Sequence, residues 1–261
     1  MSKFPMSIRE INSLPNPEKW VIYETLIPEH VIADYDIDTN PEQKHPQVRY
    51  MSPKGSRAME LFVRRRAEDR DPIMYLNMAD TFNNQILVLL VVVNDPDAQR
   101  FNIDYDQQGN PTNYGTSSRN KSAEIAAMNA GLAPGQIRRG LRAFRRSVPV
   151  FETFVDNMGH DMFMIEPLAY HNAIVFERYG FNYVRGLKDM KLIHEAFLPD
   201  GELHQRLDDD NPFRQTAYWN QIRGRSWAIH DGILGHPFTG FQMYKRIGKD
   251  AGIESFPNAT W

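Results

Sequence analysis

The longest apolar run in the chain, ILVLLVVV at residues 86–93, has no polar position to turn toward water. A β-branched run of this kind, closed by the turn formers of NDPD, predicts a strand buried on both faces at the centre of a sheet. IMYLNMAD before it and the alternating RFNIDYD after it predict two further strands. Upstream, SRAMELFVRRRAEDR opens on Ser56, a residue suited to capping, and groups Met59, Leu61, Phe62 and Val63; a helix is expected over residues 56–70. After the polar loop QQGNPTNYGTSSRN, KSAEIAAMNAGL predicts a helix ending near Gly131. APGQIRRGLRAFRRSVPVFETFVDNMG predicts a second helical region kinked around Pro149. DMFMIEPL then predicts a strand, residues 169–179 a short helix, and FNYVRG another strand. In the last third, PFRQTAYWNQIRGRSW and FTGFQMYKRIGKDAGI carry the clearest helical patterns.

The first fifty residues hold Pro15, Pro17, Pro28, Pro41 and Pro46, which interrupt every apolar pattern. They predict an irregular arm in which EKWVIYETL is the piece that packs. With no internal repeat, the simplest partition is an arm over 1–50, an α/β core over 51–186 and a C-terminal extension over 187–261 packed on that core. The expected fold class is therefore α/β (α+β), a central mixed sheet flanked by helices, with an N-terminal arm and a helical C-terminal extension.

Composition narrows the chemistry. A chain of 261 residues, 41% hydrophobic, can bury a substantial core. Its net charge of −3 and pI near 6.2 argue against a dedicated nucleic-acid binder. The absence of cysteine removes disulfides, thiolate catalysis and cysteine-ligated metals. MSKFPMSIREINSLPNP has no apolar signal-like core, and the run at 86–93 is too short to span a bilayer. The expectation is a cytoplasmic protein without a membrane partner, acting on a small molecule; the aromatic-rich C-terminal third, closed by Trp261, admits a homo-oligomer contact.

The stretch MFMIEPLAYHNAIVFERYGFNYVRG, together with the order helix, strands, long helix, strand, short helix, strand, resembles the C-terminal half of a GNAT acyltransferase domain. That family passes from a strand into a short helix of the type A-I-x-x-Y-E-x-x-G-F and on into the next strand. Aligned on Gly180 and Phe181, Glu177 matches the family glutamate, while Phe176 stands where a tyrosine is common. The resemblance covers residues 57–186 and implies acetyl-CoA or another acyl-CoA as cofactor, with an amine as acceptor. In the family, a Q/R-x-x-G-x-G/A turn holds the coenzyme A pyrophosphate at a helix N-terminus. GQIRRGLRA departs from that spacing and offers Gly135, Arg138, Arg139, Gly140 and Arg142 as the cofactor-binding residues. The loop NYGTSSRNK, with Gly115, Arg119 and Lys121, is an alternative anion cradle.

Proton transfer points to Glu166, at the end of a predicted strand, and to His171 shortly after it, as candidate bases. The loop SWAIHDGILGHPFTGF gathers His230, Asp231 and His236 behind Arg223 and Arg225. Arg225, His230 and Asp231 are its candidate substrate-pocket residues. Each candidate has a plainer role: a solvated basic face for the arginines, a helix cap for Glu166, a brace for His230 or Asp231. Two other classes of function remain open on these residues. One is a GNAT-shaped binding or structural subunit without catalysis, motivated by Phe176. The other is a histidine–carboxylate metalloprotein built on the C-terminal loop, although no recognised ligand spacing occurs and no metal is expected.

Overall fold

The computed structural model describes residues 3–113, 115–140 and 144–261. The chain forms two compact units, each assembled from separate segments. The first comprises Met1–Asp97, Gly140–Glu166 and Tyr244–Asp250; the second comprises Ala98–Arg139, Pro167–Met243 and Ala251–Trp261. The arm, core and extension follow chain order, whereas these units interleave.

The first unit begins with three short helices, α1 (Ile8–Ser13), α2 (Asn16–Glu24) and α3 (Glu29–Tyr35). The proline-rich arm is thus more regular than its sequence suggests, because Pro15, Pro17 and Pro28 fall at helix starts, while Pro41 and Pro46 lie in the irregular stretch before the first strand. Pro15 and Pro28 occupy N-cap positions and Pro17 the first turn, where a missing N–H costs nothing. Ser7 caps α1 by accepting from the Glu10 amide, and the Asp80 carboxylate accepts from the amides of Ile8 at 2.7 Å and Arg9 at 2.9 Å. A carboxylate placed there satisfies donors that the helix itself leaves unpaired.

Four strands follow in an antiparallel meander: β1 (Val48–Met51), β2 (Ala58–Val63), β3 (Met74–Asp80) and β4 (Ile86–Val93). β2 corrects the helix expected over residues 56–70. Met59, Leu61 and Val63 point inward with almost no exposure, while Ala58, Glu60 and Phe62 are half-buried on the other face. That is a period of two, and it pairs residue for residue with β3 from Ala58↔Ala79 to Val63↔Met74. Helix α5 (Phe144–Asn157) contains Pro149 and leads into β5 (Met162–Ile165). Of the helical region expected from residue 133 onward, residues 133–140 form turns and irregular chain instead.

In the second unit, RFNIDYD forms no strand. Phe101 and Ile103 are buried, packing with Ala127, Leu132 and Ile137, and the chain turns back so that Tyr105 bridges Pro111. The alternation was real, but it fills a small core beside α4 (Lys121–Asn129) instead of forming a ladder. Helix α6 (Tyr170–Arg178) and strand β6 (Asn182–Arg185) lie as expected, followed by α7 (Leu187–Ala196), α8 (Glu202–Gln205), a 3₁₀ turn (Thr216–Tyr218) and α9 (Ile222–His230). The last helical pattern, FTGFQMYKRIGKDAGI, is instead strand β7 (Gln242–Arg246), with Met243 and Lys245 buried in alternation. The class is α+β, and the mixed seven-stranded sheet has the order β1-β2-β3-β4-β5-β7-β6. Among the described residues, no helix is long and apolar enough to cross a membrane.

Candidate functional site

Strands β4 and β5 of the first unit run parallel, yet they pair only at Leu87↔Met164 and Val88↔Ile165. The pairing stops where β5 itself ends, at Ile165, and the other edge of β4 is irregular at the same level. Its register with β3 passes from Val88↔Met78 to Leu90↔Asn77, so Leu89 is an extra residue with no partner. Such a bulge bends the strand that carries it, and bulges gather beside functional sites. Beyond it, Leu90–Val93 stay paired with β3, while no residue of β4 past Val88 pairs with β5. Leu89, Leu90, Val91, Val92 and Val93 are only half-buried, although the sequence there is uniformly apolar. The strand that reads as the most deeply buried therefore presents an apolar edge without a neighbouring ladder.

Two of the residues expected at a site lie at the ends of this pair. Glu166 follows directly on β5 and is half-buried. Gly140 lies against the end of β4: a Cβ there would stand 3.2 Å from the Val93 carbonyl oxygen, so a larger residue would have to push the strand end aside. Arg142 lies outside the described residues.

In the second unit, Arg139 is exposed, and Arg138 donates from Nη1 to the Ala98 carbonyl at 2.5 Å. Gly135 has φ 81° in a turn where the Gln136 side chain accepts from the Ala133 amide. Arg138 is thus half-buried and bound to backbone, unlike the solvated basic face that was the plainer expectation for the arginines.

The C-terminal loop residues take part in a larger charge network within the second unit. Asn120 caps α4 by accepting from the Ala123 amide, which sets Glu124 in the first turn; α9 ends in His230, with Asp231 as its cap. Arg119 joins the two helix ends. It donates to Glu124 Oε2 through Nη2 at 2.5 Å and Nε at 2.8 Å, and to Asp231 Oδ1 through Nη1 at 2.6 Å. Asp231 also accepts from Arg214 Nε at 2.7 Å and Asn211 Nδ2 at 2.9 Å. The Arg119 guanidinium lies 4.7 Å from the centre of the Phe213 ring.

His230 Nε2 stands 3.1 Å from Glu124 Oε1. Burial works to raise the Glu124 carboxyl, but the hydrogen bonds from His230 and Arg119 outweigh it and hold the group below its ordinary value. Asp231 is treated alike: burial raises it, and Arg119, Asn211 and Arg214 together pull it lower. With Glu124 ionised, Nε2 of His230 must carry the proton, which leaves the lone pair on Nδ1. Nδ1 has no hydrogen-bond partner among the described residues, and the side chain keeps 16% of its surface exposed. The arrangement orients an imidazole so that it can accept a proton.

The remaining candidates of this unit face inward. His171 is buried on α6, its Nδ1 sits 2.8 Å from Ser226 Oγ, and burial, with His230 nearby, lowers its pKa to about 4. It is a neutral core histidine at ordinary pH and has no face open to a substrate. Arg225 has no exposed surface either. Nε donates to the Trp219 carbonyl at 2.6 Å, Nη1 meets His194 Nδ1 at 3.0 Å, and the guanidinium lies 3.6 Å from the Phe256 ring centre and 5.0 Å from that of Phe197. The substrate-pocket role expected of Arg225 is therefore corrected: its guanidinium is enclosed by rings and backbone. Glu177, the match to the family glutamate, is buried and accepts from Tyr183 Oη at 2.6 Å and from the Ser255 hydroxyl and amide at 2.6 and 2.9 Å. Burial, opposed by these bonds, raises its pKa.

Sequence reasoning singled out His230, Asp231 and Arg119 but not Glu124, Arg214 or Asn211. Glu124 lies 106 positions from the histidine it orients; its one sequence signal is its place in the first turn of a capped helix. The Leu89 bulge has no signal in so uniform a run. Among the described residues, no three His, Asp or Glu side chains converge as a metal-ligand set. No protein-family model, curated protein or solved structure matches the chain.

Proposed function

We propose that the chain is a GNAT-like acyltransferase, moving an acyl group from an acyl-CoA thioester to the amine of a small molecule. The observation that carries the reading is the β4–β5 pair, whose ladder ends with β5 at Val88↔Ile165, beside the Leu89 bulge, and leaves the rest of β4 unpaired on that edge. An extended ligand arm bearing amide groups fits an edge of this kind, because backbone groups past Val88 supply the hydrogen bonds that a paired strand would otherwise take. The close approach of Gly140 to the Val93 carbonyl favours a residue without a side chain where a phosphate-bearing turn must come near the strand end. The thioester, when bound, supplies the activated acyl group.

The chain's own part is positional and basic. The Leu89–Val93 edge orients the arm, the half-buried side chains around it exclude water, and Glu166, at the end of β5, accepts the proton of the attacking amine directly or through a water. Phe176 has no proton to give a leaving group, so the reading assigns no acid there.

The test is a thermal melt with and without acetyl-CoA. A ligand at a hundredfold its Kd adds about 2.7 kcal/mol, and the midpoint should rise accordingly. Gly140→Val should remove the shift, in a protein whose unliganded midpoint is lowered by the displaced strand end but whose melt stays cooperative. No shift with any acyl-CoA at millimolar concentration refutes the proposal. The buried Phe176 favours a second reading, a GNAT-shaped binding subunit. It predicts the same shift with no acyl transfer to any amine in a thiol-release assay.

A further inference from the structure

Away from the β4–β5 edge, the first unit carries a surface cavity of about 530 Å³ between the chain leading into β1 and the turn that follows β2. Its lining includes the cations Lys44, Arg49, Arg64 and Arg70 and the carboxylates Glu68 and Asp69, an excess of two positive charges. Lys44, Arg49 and Arg64 have no carboxylate ion-pair partner among the described residues. The Asp69 carboxylate is turned to its own loop, where Oδ2 accepts from the Arg66 amide at 3.0 Å.

Arg64 is held in place by contacts that leave its fork available. Nε donates to the Asp69 carbonyl at 3.1 Å, and the guanidinium lies 5.1 Å from the Phe62 ring centre. Neither terminal nitrogen has a hydrogen-bond partner among the described residues. Arg49 sits on β1 opposite Phe62, bringing a second guanidinium to the same place. Burial, and then repulsion from Arg49, push Arg64 below the ordinary arginine value, with Asp69 opposing. Two like charges held together by the fold are relieved by an anion between them. A planar fork with two free N–H edges matches the oxygens of a phosphate group.

We infer that this cavity is an anion site, distinct from the acyl-CoA edge, that takes the phosphate or pyrophosphate group of a small ligand on Arg64, with Arg49 and Lys44 completing the charge. Titration calorimetry with inorganic pyrophosphate at low ionic strength tests it. The expected result is saturable one-to-one binding that weakens as salt is added. Arg64→Gln should weaken it at least about tenfold, the scale of one charge-assisted hydrogen bond. Arg49→Gln, at an exposed strand position that does not endanger folding, should weaken it several-fold, and Lys54→Gln, exposed and outside the cavity, should leave it unchanged. Absence of saturable binding, or binding that survives both arginine substitutions, overturns the inference. The acyl-CoA melting shift should persist in both arginine variants, so the two readings fail separately.

Discussion

Acidification from pH 7.5 to 5 should weaken the second unit through one buried histidine. His171 titrates near 6.5 when exposed and near 4 in the fold, where burial disfavours its charge and Ser226 Oγ is its hydrogen-bond partner. Between those values the unfolded chain binds a proton that the native state refuses, so stability falls as pH falls, by about 1.4 kcal/mol per pH unit. Integrated from pH 7.5, the loss is about 2 kcal/mol at pH 5. His30 and His194, also lowered by burial, act in the same direction, and other groups act in separate windows or with opposite sign. Glu124 and Asp231, held low, contribute stability that is present above their unfolded values and lost as pH falls through their folded ones. Glu177, raised by burial, gives a contribution that grows on acidification. The clean measurement is therefore a double difference: urea unfolding of the parent and of His171→Asn, each at pH 7.5 and pH 5, followed by tryptophan fluorescence. Asn keeps a partner for Ser226 but cannot titrate, so it should lose stability at pH 7.5 and show a pH dependence smaller by about 2 kcal/mol. A double difference near zero, or an imidazole of His171 titrating near 6.5 by NMR, refutes the reasoning.

Three further substitutions test the packing of the second unit. Gly180 ends α6 at φ 78°, donating to the Glu177 carbonyl while Phe181 donates to that of Phe176, and the two phenylalanine rings meet at 5.3 Å. Gly180→Ala should lower stability by about 1 kcal/mol and Phe181→Ala by about 3–5 kcal/mol in denaturant melts; parent-like melts for both would discard this helix end. Arg119→Met removes the shared partner of two buried carboxylates and should cost about 3–5 kcal/mol, read by the same melts. A loss under about 1 kcal/mol, the range of exposed ion pairs, would mean that Glu124 and Asp231 are solvated.

How far the sequence could be read depended on whether local pattern and tertiary role agreed. α4 carries its Asn120 cap and α6 its terminating Gly180, and β3, β4, β5 and β6 have runs that suit only strands, so these elements were legible. β2 was not, because six alternating residues run into the charged stretch Arg64–Arg66 and mimic one long amphipathic helix. β7 failed for a related reason. Its inward position Lys245 is a charged residue, buried beside Glu152 at 3.6 Å, and a lysine at an inward position conceals the period of two. Residues 101–105 show the converse, since an alternating pattern needs a neighbouring strand and the bridge from Tyr105 to Pro111 takes the chain back on itself instead.

The site divides along the same line. Chemistry carried by side chains close in sequence, as with His230 and Asp231, drew notice from their types alone. What orients them is long-range: Glu124 and Arg119 reach α9 from more than a hundred positions away, and no local rule couples them. The β4 edge is harder still, because nothing about it resides in side-chain identity. Val91, Val92 and Val93 would look the same in a strand paired on both sides, and what separates that arrangement from the one observed is the end of β5 at Ile165 together with one unpaired residue, Leu89. A bulge moves backbone donors and acceptors out of a ladder while leaving the apolar pattern untouched, so the function proposed for this edge belongs to the main chain. The consequence is specific. Conservative changes along Leu90–Val93 should affect packing more than ligand recognition, whereas deleting Leu89 restores the register with β3, removes the bend from β4 and should weaken acyl-CoA binding in a protein that still folds.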